Sequence, residues 1–328
     1  MINRFQEEIN EYKKLRWFIM HHYNNCSVCG KVFKLGDNCY FGHLSNGSYA
    51  YTCSGCSTQL NDAKVYTNYH RLPFSIPPPE TKLWRYMDLA KFLSLLENQS
   101  LYFTRLDHFN DSFEGALGVS TNENNWTKNE LEVRKRLYQK NNIFGNEDDY
   151  NRYIEKEFKE SRERMQNFRK YNYVSCWHAS NCESEAMWQL YTRDNKQGVA
   201  IQTTFMRLYN SLPAVINSNF GLVNYINFND YNNGVSNKRF SAFDAPWYKR
   251  ESFAHEREFR VIIEDVPKSL PQDWEKYVPI NINQLVENVY ISPKSNVWFV
   301  NLVKDIVRKR YNLNVNIIQS ELNNLPFY

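Results

Sequence analysis

"LWRYMDLAKFLSLLENQSLYFTRLDHFNDSFEG", residues 83–115, decides the fold class of this chain. With Lys82 in front it opens as a strand, and Asp88 is placed to cap a following helix. Leu89, Phe92, Leu93 and Leu96 then recur at i, i+3, i+4 and i+7, the pattern of an amphipathic helix that lays one face on a sheet. Leu101 and Phe103 alternate with polar neighbours in "SLYFTRL", which reads as a second strand. A polar hook of Asn110, Asp111 and Glu114 follows, gathered around two phenylalanines. Asn110 and Asp111 are turn formers, and Asp111 or Glu114 also lies where a strand end opens onto a site.

The rest of the chain extends this strand–helix–strand unit. Residues 126–172 are charged and free of proline, with Tyr150, Ile154, Phe158, Met165 and Phe168 near one helical stripe. They read as a helical insertion whose charges form a solvated face. "YVSCWHAS" and "GVAIQTTF" are strand-like and flank a helix at "SEAMWQLYT". "EREFRVIIE" is a strand, and the chain closes with a strand at "NVYISP", a helix at 297–311 and a final strand. The expected class is mixed α+β.

Upstream, Pro73, Pro77, Pro78 and Pro79 make 73–80 a stiff linker that can join neither helix nor central strand. Before it, Cys26, Cys29, Cys53 and Cys56 form two Cys-x-x-Cys pairs, a spacing that puts four thiolates around one Zn²⁺. Gly30 suits the tight knuckle after the first pair. Turn signals at Gly36-Asp37 and Asn46-Gly47 give a hairpin between the pairs, and "STQLNDAKVY" is a short helix start. Residues 1–72 are therefore expected to be a zinc-ribbon or treble-clef module, and 81–328 the main domain.

Composition narrows the function classes. The 328 residues are 42% hydrophobic and 16% aromatic, with a net charge of +4, so a folded core is expected and polyelectrolyte binding is not forced. Residues 1–75 hold eight Lys/Arg and five Asp/Glu. Zinc held by four thiolates is near −2, so this region is not a basic patch. No apolar run reaches the roughly 20 residues that span a bilayer. The acidic start lacks the character of a signal peptide, so a cytoplasmic protein with reduced thiols and no membrane partner is expected.

Three stretches combine aromatic and polar residues beyond what a core needs: 84–86 with the hook, "SCWHASNCESEAMWQLY", and "WYKRESFAHEREFRVII". Alternation on a strand would place Glu256, Glu258 and Arg260 on one face, the two carboxylates about 7 Å apart. The simpler reading of that pattern is an Arg–Glu ladder between strands. Cys176 and His178 share a strand face. Trp188 and Tyr191 suit helix packing, or stacking on a base or nicotinamide ring.

These blocks together resemble a widespread bacterial domain family of unknown function, whose pattern runs strand–helix–strand–FNDPFE, then MWxxYxxxxxG, then WxxExExR. Ser112 replaces the usual Pro and Phe253 the common Trp. The resemblance covers roughly 82–325 and leaves out the cysteine module. A fainter resemblance, in the order of strands and their polar residues, is to ADP-ribosyltransferases of the nucleic-acid-modifying toxin type. It implies that Arg85 or Tyr86 grips the ribose or phosphates of NAD. It places Tyr102, or Ser100 or Thr104, against nicotinamide, and makes Glu258 or Glu256 the catalytic carboxylate.

The implied activity is mono-ADP-ribosyl transfer from NAD to a nucleic acid or protein, in a toxin or phage-defence role that can carry a neutralising antitoxin. The chemistry suits the residue types: a carboxylate strengthens its hold on the ribose as positive charge develops, and Arg pairs pyrophosphate. With 11 Gly and no GxGxxG, a Rossmann site is not expected. Two alternatives stay open: a non-enzymatic zinc-dependent nucleic-acid or nucleotide sensor, and a metal-dependent nuclease using Asp111, Glu114, Glu256 and Glu258.

Overall fold

The computed structural model describes residues 26–31, 39–46, 49–61, 64–66, 75–116, 136, 146–192, 196–213, 218–228, 245–265 and 273–323. Near the N-terminus, β1 (Cys39–His43) pairs antiparallel with β2 (Tyr49–Cys53) and with β3 (Lys64–Tyr66), in the order β2-β1-β3. The hairpin expected between the cysteine pairs is thus present. The expected helix after Cys56 is a 3-10 turn, Ser54–Gln59, and the chain then returns to strand at Lys64.

The main domain is built on β4 (Lys82–Asp88), α1 (Leu89–Asn98) and β5 (Ser100–Arg105), the strand–helix–strand unit read from the sequence. Asp88 caps α1, its side chain accepting from the Lys91 amide. Gln99 ends the helix in the left-handed region at φ 43°. Phe92, Leu95 and Leu96 are the buried residues of α1; Leu93, expected in the core, is only half-buried and Leu95 takes that place.

The chain continues through α2 (Glu147–Lys170), β6 (Asn172–Ala179), α3 (Glu185–Tyr191), β7 (Gly198–Thr204) and α4 (Phe205–Ser211). The short strands β8 (Ser218–Leu222), β9 (Asn224–Ile226) and β10 (Tyr248–Arg250) follow, then β11 (Glu258–Glu264) and β12 (Glu275–Pro279). It closes with α5 (Ile282–Leu285), β13 (Asn288–Ile291), α6 (Val297–Asp305), a π-helical turn at Ile306–Arg310 and β14 (Asn316–Gln319). The class is mixed α+β. The long helix α2 falls where a helical insertion was expected; most of 126–145 lies outside the described residues.

Nine strands form one sheet along the path β12-β5-β6-β4-β7-β13-β14, with β11 on β6 and β8 on β11. Strand β6 is the branch point. On one edge β11 pairs with it from Asn172 to His178. On the other edge β5 pairs with Tyr173 and Val174, and β4 pairs with His178 and Ala179. Neither strand pairs with the stretch between, Ser175–Trp177, so the sheet is split there.

Alternation gives the sheet two unlike faces. Leu83, Met87, Leu101, Phe103, Trp177, Ile201, Phe259 and Val261 build the large core on the first face, with α1, α4 and α6 packed over it. Full burial of each such side chain contributes about 1.5–3 kcal/mol. The second face carries two small apolar clusters, one of Trp84, Tyr86, Met187, Trp188 and Ala200 and one of Leu106, Val174, Trp247 and Ile262. Between them lie charged groups.

The proline stretch does not run free. Ser75 bridges Leu222, Pro77 is buried, and the Met206 amide donates to Pro79 O at 2.9 Å, so 75–80 is bound to the domain that it introduces. Among the described residues no helix is long and apolar enough to cross a membrane.

The cap at Asp88 fixes where α1 begins. Asp88→Ala should lower stability by about 1 kcal/mol, read as a lower denaturant midpoint at unchanged slope. An unchanged midpoint would show that the cap contributes nothing.

Candidate functional site

The second face of the sheet gathers charge at the head of β11. Glu258 and Arg260 point to this face beside His178 and Cys176 of β6. Arg260 is fully buried: its Nε donates to Glu258 Oε1 at 2.6 Å, its Nη2 to Glu114 Oε2 at 2.7 Å, and its Nη1 to Pro246 O at 2.5 Å. Lys249, on β10, completes the group. Its Nζ stands 3.0 Å from Glu258 Oε2, 2.7 Å from Glu256 Oε2 and 3.0 Å from Glu114 Oε1. Three carboxylates thus share two cations, leaving one excess negative charge when all are ionised.

Electrostatics fixes the protonation states. Burial raises the Glu258 pKa, but Arg260 and Lys249 outweigh it and hold the carboxyl down to about 2. Burial alone would lower Lys249; Glu258 and Glu114 instead drive it above the ordinary lysine range. Burial together with the neighbouring Glu258 carboxylate pushes the Cys176 thiol well above the usual thiol range. Cys176 is therefore a thiol and not a nucleophile. Burial keeps His178 neutral, and its Nδ1–H donates to Glu256 O at 2.6 Å.

The sequence pattern placed Glu256, Glu258 and Arg260 on one strand face. The structure corrects this: β11 starts at Glu258, and Glu256 ends a 3-10 turn, Glu251–Glu256. Arg257 between them is left-handed at φ 41° and ψ 53°. That reversal lets both carboxylates converge on Lys249, where a continuous strand would hold them apart. Glu256 remains the more open of the two. Its side chain is 12% exposed against 3% for Glu258, and among the described residues only Lys249 pairs with it.

The hook supplies Glu114. Asp111 Oδ1 accepts from the Phe113 amide, the Glu114 amide bonds to Asp111 O, and the Asp111 carboxylate pairs with Arg250 at 2.9 Å. Asp111 is thus both turn former and ion-pair partner. Gly115 closes the turn at φ +64°, and a Cβ there would fall 2.2 Å from Leu106 Cδ2. Only glycine fits both demands.

The remaining candidates divide. Arg85 lies at the split: its Nη1 donates to Ser175 Oγ at 2.7 Å, its Nη2 to Tyr102 O at 3.1 Å, and its guanidinium sits 5.5 Å from the Trp177 ring centroid. These partners are all neutral. Burial lowers its pKa, partly opposed by Cys176 and Tyr102, and among the described residues no carboxylate pairs with it. Tyr102 is half-buried, edge-on to Tyr277 at 5.4 Å. Thr104, on the same strand face, is half-buried as well, whereas Ser100 is tied to the Asn98 carbonyl.

Tyr86 and Trp188 are interior. The Tyr86 hydroxyl accepts from the Ser184 amide, and its ring meets Trp188 edge-on at 4.9 Å. Trp188 is fully buried, its indole donating to Glu183, so its ring serves packing. Cys176 is an electrostatic neighbour of both Arg85 and Glu258. Lys249 and Cys176, central to this arrangement, were not among the site residues expected from sequence.

In the N-terminal sheet, the Sγ atoms of Cys26, Cys29, Cys53 and Cys56 lie within 4.8 Å of one another and can hold a metal ion. The knuckle expected at the first pair is formed by Gly30 N bonding to Cys26 O at 2.9 Å. Burial raises the Cys26 pKa, but amide contacts from Cys29, Cys53 and Val28 outweigh it and lower the thiol to about 6.

No family model matches the chain, and neither does any curated protein or solved structure compared with it.

Glu258 ties stability to acid pH. Its folded pKa lies below the ordinary 4.5, so its contribution is complete above pH 4.5 and is lost as pH falls through about 2. Wild-type protein should lose up to about 3 kcal/mol across that window. Glu258→Gln should flatten the loss and cost about 3–5 kcal/mol at pH 7, because two buried cations lose a partner. Denaturant unfolding as a function of pH measures both; an equally steep acid slope in the variant contradicts this assignment. In the hook, Gly115→Ala should cost about 1–3 kcal/mol, and unaltered unfolding would show that Leu106 yields freely.

Proposed function

We propose that the main domain is an ADP-ribosyltransferase-like fold that consumes NAD and transfers ADP-ribose to a nucleic acid or protein. The observation that carries this reading is the excess negative charge at the head of β11. The reaction breaks the bond between nicotinamide nitrogen and ribose C1′. The electron pair leaves with nicotinamide, and positive charge grows on the sugar. Carboxylates fixed in place by ion pairs to Lys249 and Arg260 favour that charge more as it develops, without reorganising.

Glu256 is the carboxylate we assign to the ribose hydroxyl. Its Oε2 is engaged by Lys249, and its Oε1 has no partner among the described residues. Glu258 anchors Lys249 and Arg260 and keeps the local field negative. Arg85 pairs with no carboxylate among the described residues and suits the pyrophosphate of NAD. The acceptor nucleophile then bonds to C1′ and releases its proton.

One observation favours a second reading, nucleotide binding without turnover. Both oxygens of Glu258 are committed to ion pairs, so that carboxylate is not available to a sugar. The metal-dependent nuclease reading is weakened because Lys249 Nζ already stands among the three carboxylates.

For the cysteine module we propose a structural Zn²⁺. Tetrahedral zinc with bonds of about 2.3 Å separates its sulfurs by about 3.8 Å, and Cys29 and Cys53 stand 3.7 Å apart. The module then holds its small sheet together and presents the acceptor to the main domain.

Incubation with NAD and candidate acceptors, with nicotinamide and modified acceptor measured by mass, tests the activity. Wild type should release nicotinamide. Glu256→Gln should lower kcat by about 10²–10³-fold, as expected for loss of one preorganised electrostatic contact, without lowering the melting temperature by more than a few degrees. Nucleotide binding without release supports the second reading. The purified protein should contain one zinc per chain, lost together in Cys26→Ser/Cys53→Ser; an unchanged metal content would place the ion elsewhere.

A further inference from the structure

The pairing of β8 with β11 ends at Leu222 and Phe259, one residue short of Glu258. Glu258 is buried, so its amide and its carbonyl both need partners there. The chain supplies them from the segment that leaves the sheet. The Val223 amide donates to Glu258 O at 2.9 Å, and the Glu258 amide donates to the Tyr225 hydroxyl at 2.7 Å. A side chain thus stands where a strand partner would otherwise continue, and it stands at the head of β11.

Strand β9 fixes Tyr225 from its other side. It runs parallel to β10 with Tyr225 opposite Lys249, so the two side chains share a face. From that face Lys249 reaches Glu114, Glu256 and Glu258, and Tyr225 reaches the Glu258 amide. A phenol hydroxyl that accepts one bond still has a proton to donate. Burial and the Glu258 carboxylate raise its pKa, so that proton is held at neutral pH. Among the described residues the Glu258 amide is its one hydrogen-bond partner, and the residue is partly exposed. Glu256 offers the converse: its Oε1 is an acceptor without a donor among the described residues. A spare donor and a spare acceptor therefore flank Lys249.

We propose that Tyr225 is a specificity-determining residue of the carboxylate site, its hydroxyl donating to the 3′-hydroxyl oxygen of the ribose next to nicotinamide. This rests on the NAD reading given above. Glu256 takes the 2′-hydroxyl, adjacent to the C1′ atom that becomes positive, and Tyr225 takes its neighbour. A donor beside an acceptor suits a pair of vicinal hydroxyls, so the site selects ribose over a deoxy sugar. Sites that bond a ligand hydroxyl reject the analogue lacking it far more strongly than apolar pockets reject a missing methylene.

The test is calorimetric titration of the full-length protein with a non-hydrolysable NAD analogue and with its counterpart lacking that 3′-hydroxyl, alongside thermal melting. Wild type should bind the first at least 10-fold more tightly. Tyr225→Phe removes the acceptor of the Glu258 amide as well as the donor to the sugar, so the preference and not the affinity decides. It should shrink to about 2-fold or less. A preference that survives in Tyr225→Phe, or equal binding of the two analogues by wild type, overturns the role of Tyr225 and leaves the NAD reading standing. Absence of binding by wild type overturns both. If Tyr225→Phe does not fold, a crystal structure of wild type with the analogue decides. The Tyr225 hydroxyl within about 3 Å of the 3′-oxygen supports the proposal, and a hydroxyl out of hydrogen-bond reach overturns it.

Discussion

One ammonium group holds the charged end of this domain's sheet together. Lys249 draws in Glu114 from the hook after β5, Glu256 from a 3-10 turn and Glu258 from the head of β11. Removing any one of these charges from water costs several kcal/mol unless a partner is close and well oriented. Three segments far apart in sequence are therefore bound to one geometry. Arg260 adds the second cation from beneath. Its guanidinium has no exposed surface and reaches Glu258, Glu114 and the Pro246 carbonyl. The left-handed Arg257 is the local cost of this convergence, about 1–2 kcal/mol for a non-glycine residue.

The branched strand β6 gives the charged group its setting. It lends one edge to β11 along its length, and on the other edge β5 and β4 part around Ser175–Trp177. Arg85 reaches the Ser175 hydroxyl and the Tyr102 carbonyl at that gap. The split thus brings a guanidinium that pairs with no carboxylate among the described residues close to Cys176, itself a neighbour of Glu258. A ligand with a phosphate end and a centre that becomes positive matches this polarity.

Much of the framework was legible because it follows local rules. The cap at Asp88, the amphipathic face of α1, the alternation in β5 and the cysteine pairs each state their structure within a few residues. Strands β8, β9, β10 and β12 were not legible. β9 and β10 span three residues each, β8 is the polar "SNFGL", and β12 is an edge strand with Tyr277 half exposed and a terminal Pro279. Their pairing comes from neighbours supplied by the fold. The carboxylates of the site were legible as residue types. Their convergence on Lys249 was not, because it depends on a backbone reversal at an arginine, a residue that carries no turn signal. The same limit applies to Trp188 and Tyr191: spacing puts them on neighbouring helix positions, and only the packing of α3 on Tyr86 separates core from surface.

The most direct test is an experimental structure of the protein with a non-hydrolysable NAD analogue bound. The ribose should lie beside Glu256 on the second face of the sheet and the pyrophosphate at the split in β6, where Arg85 lies, with the Lys249 ion pairs to Glu258 and Glu114 intact. A ligand bound on another surface, or a site whose occupation requires those ion pairs to break, would contradict this placement.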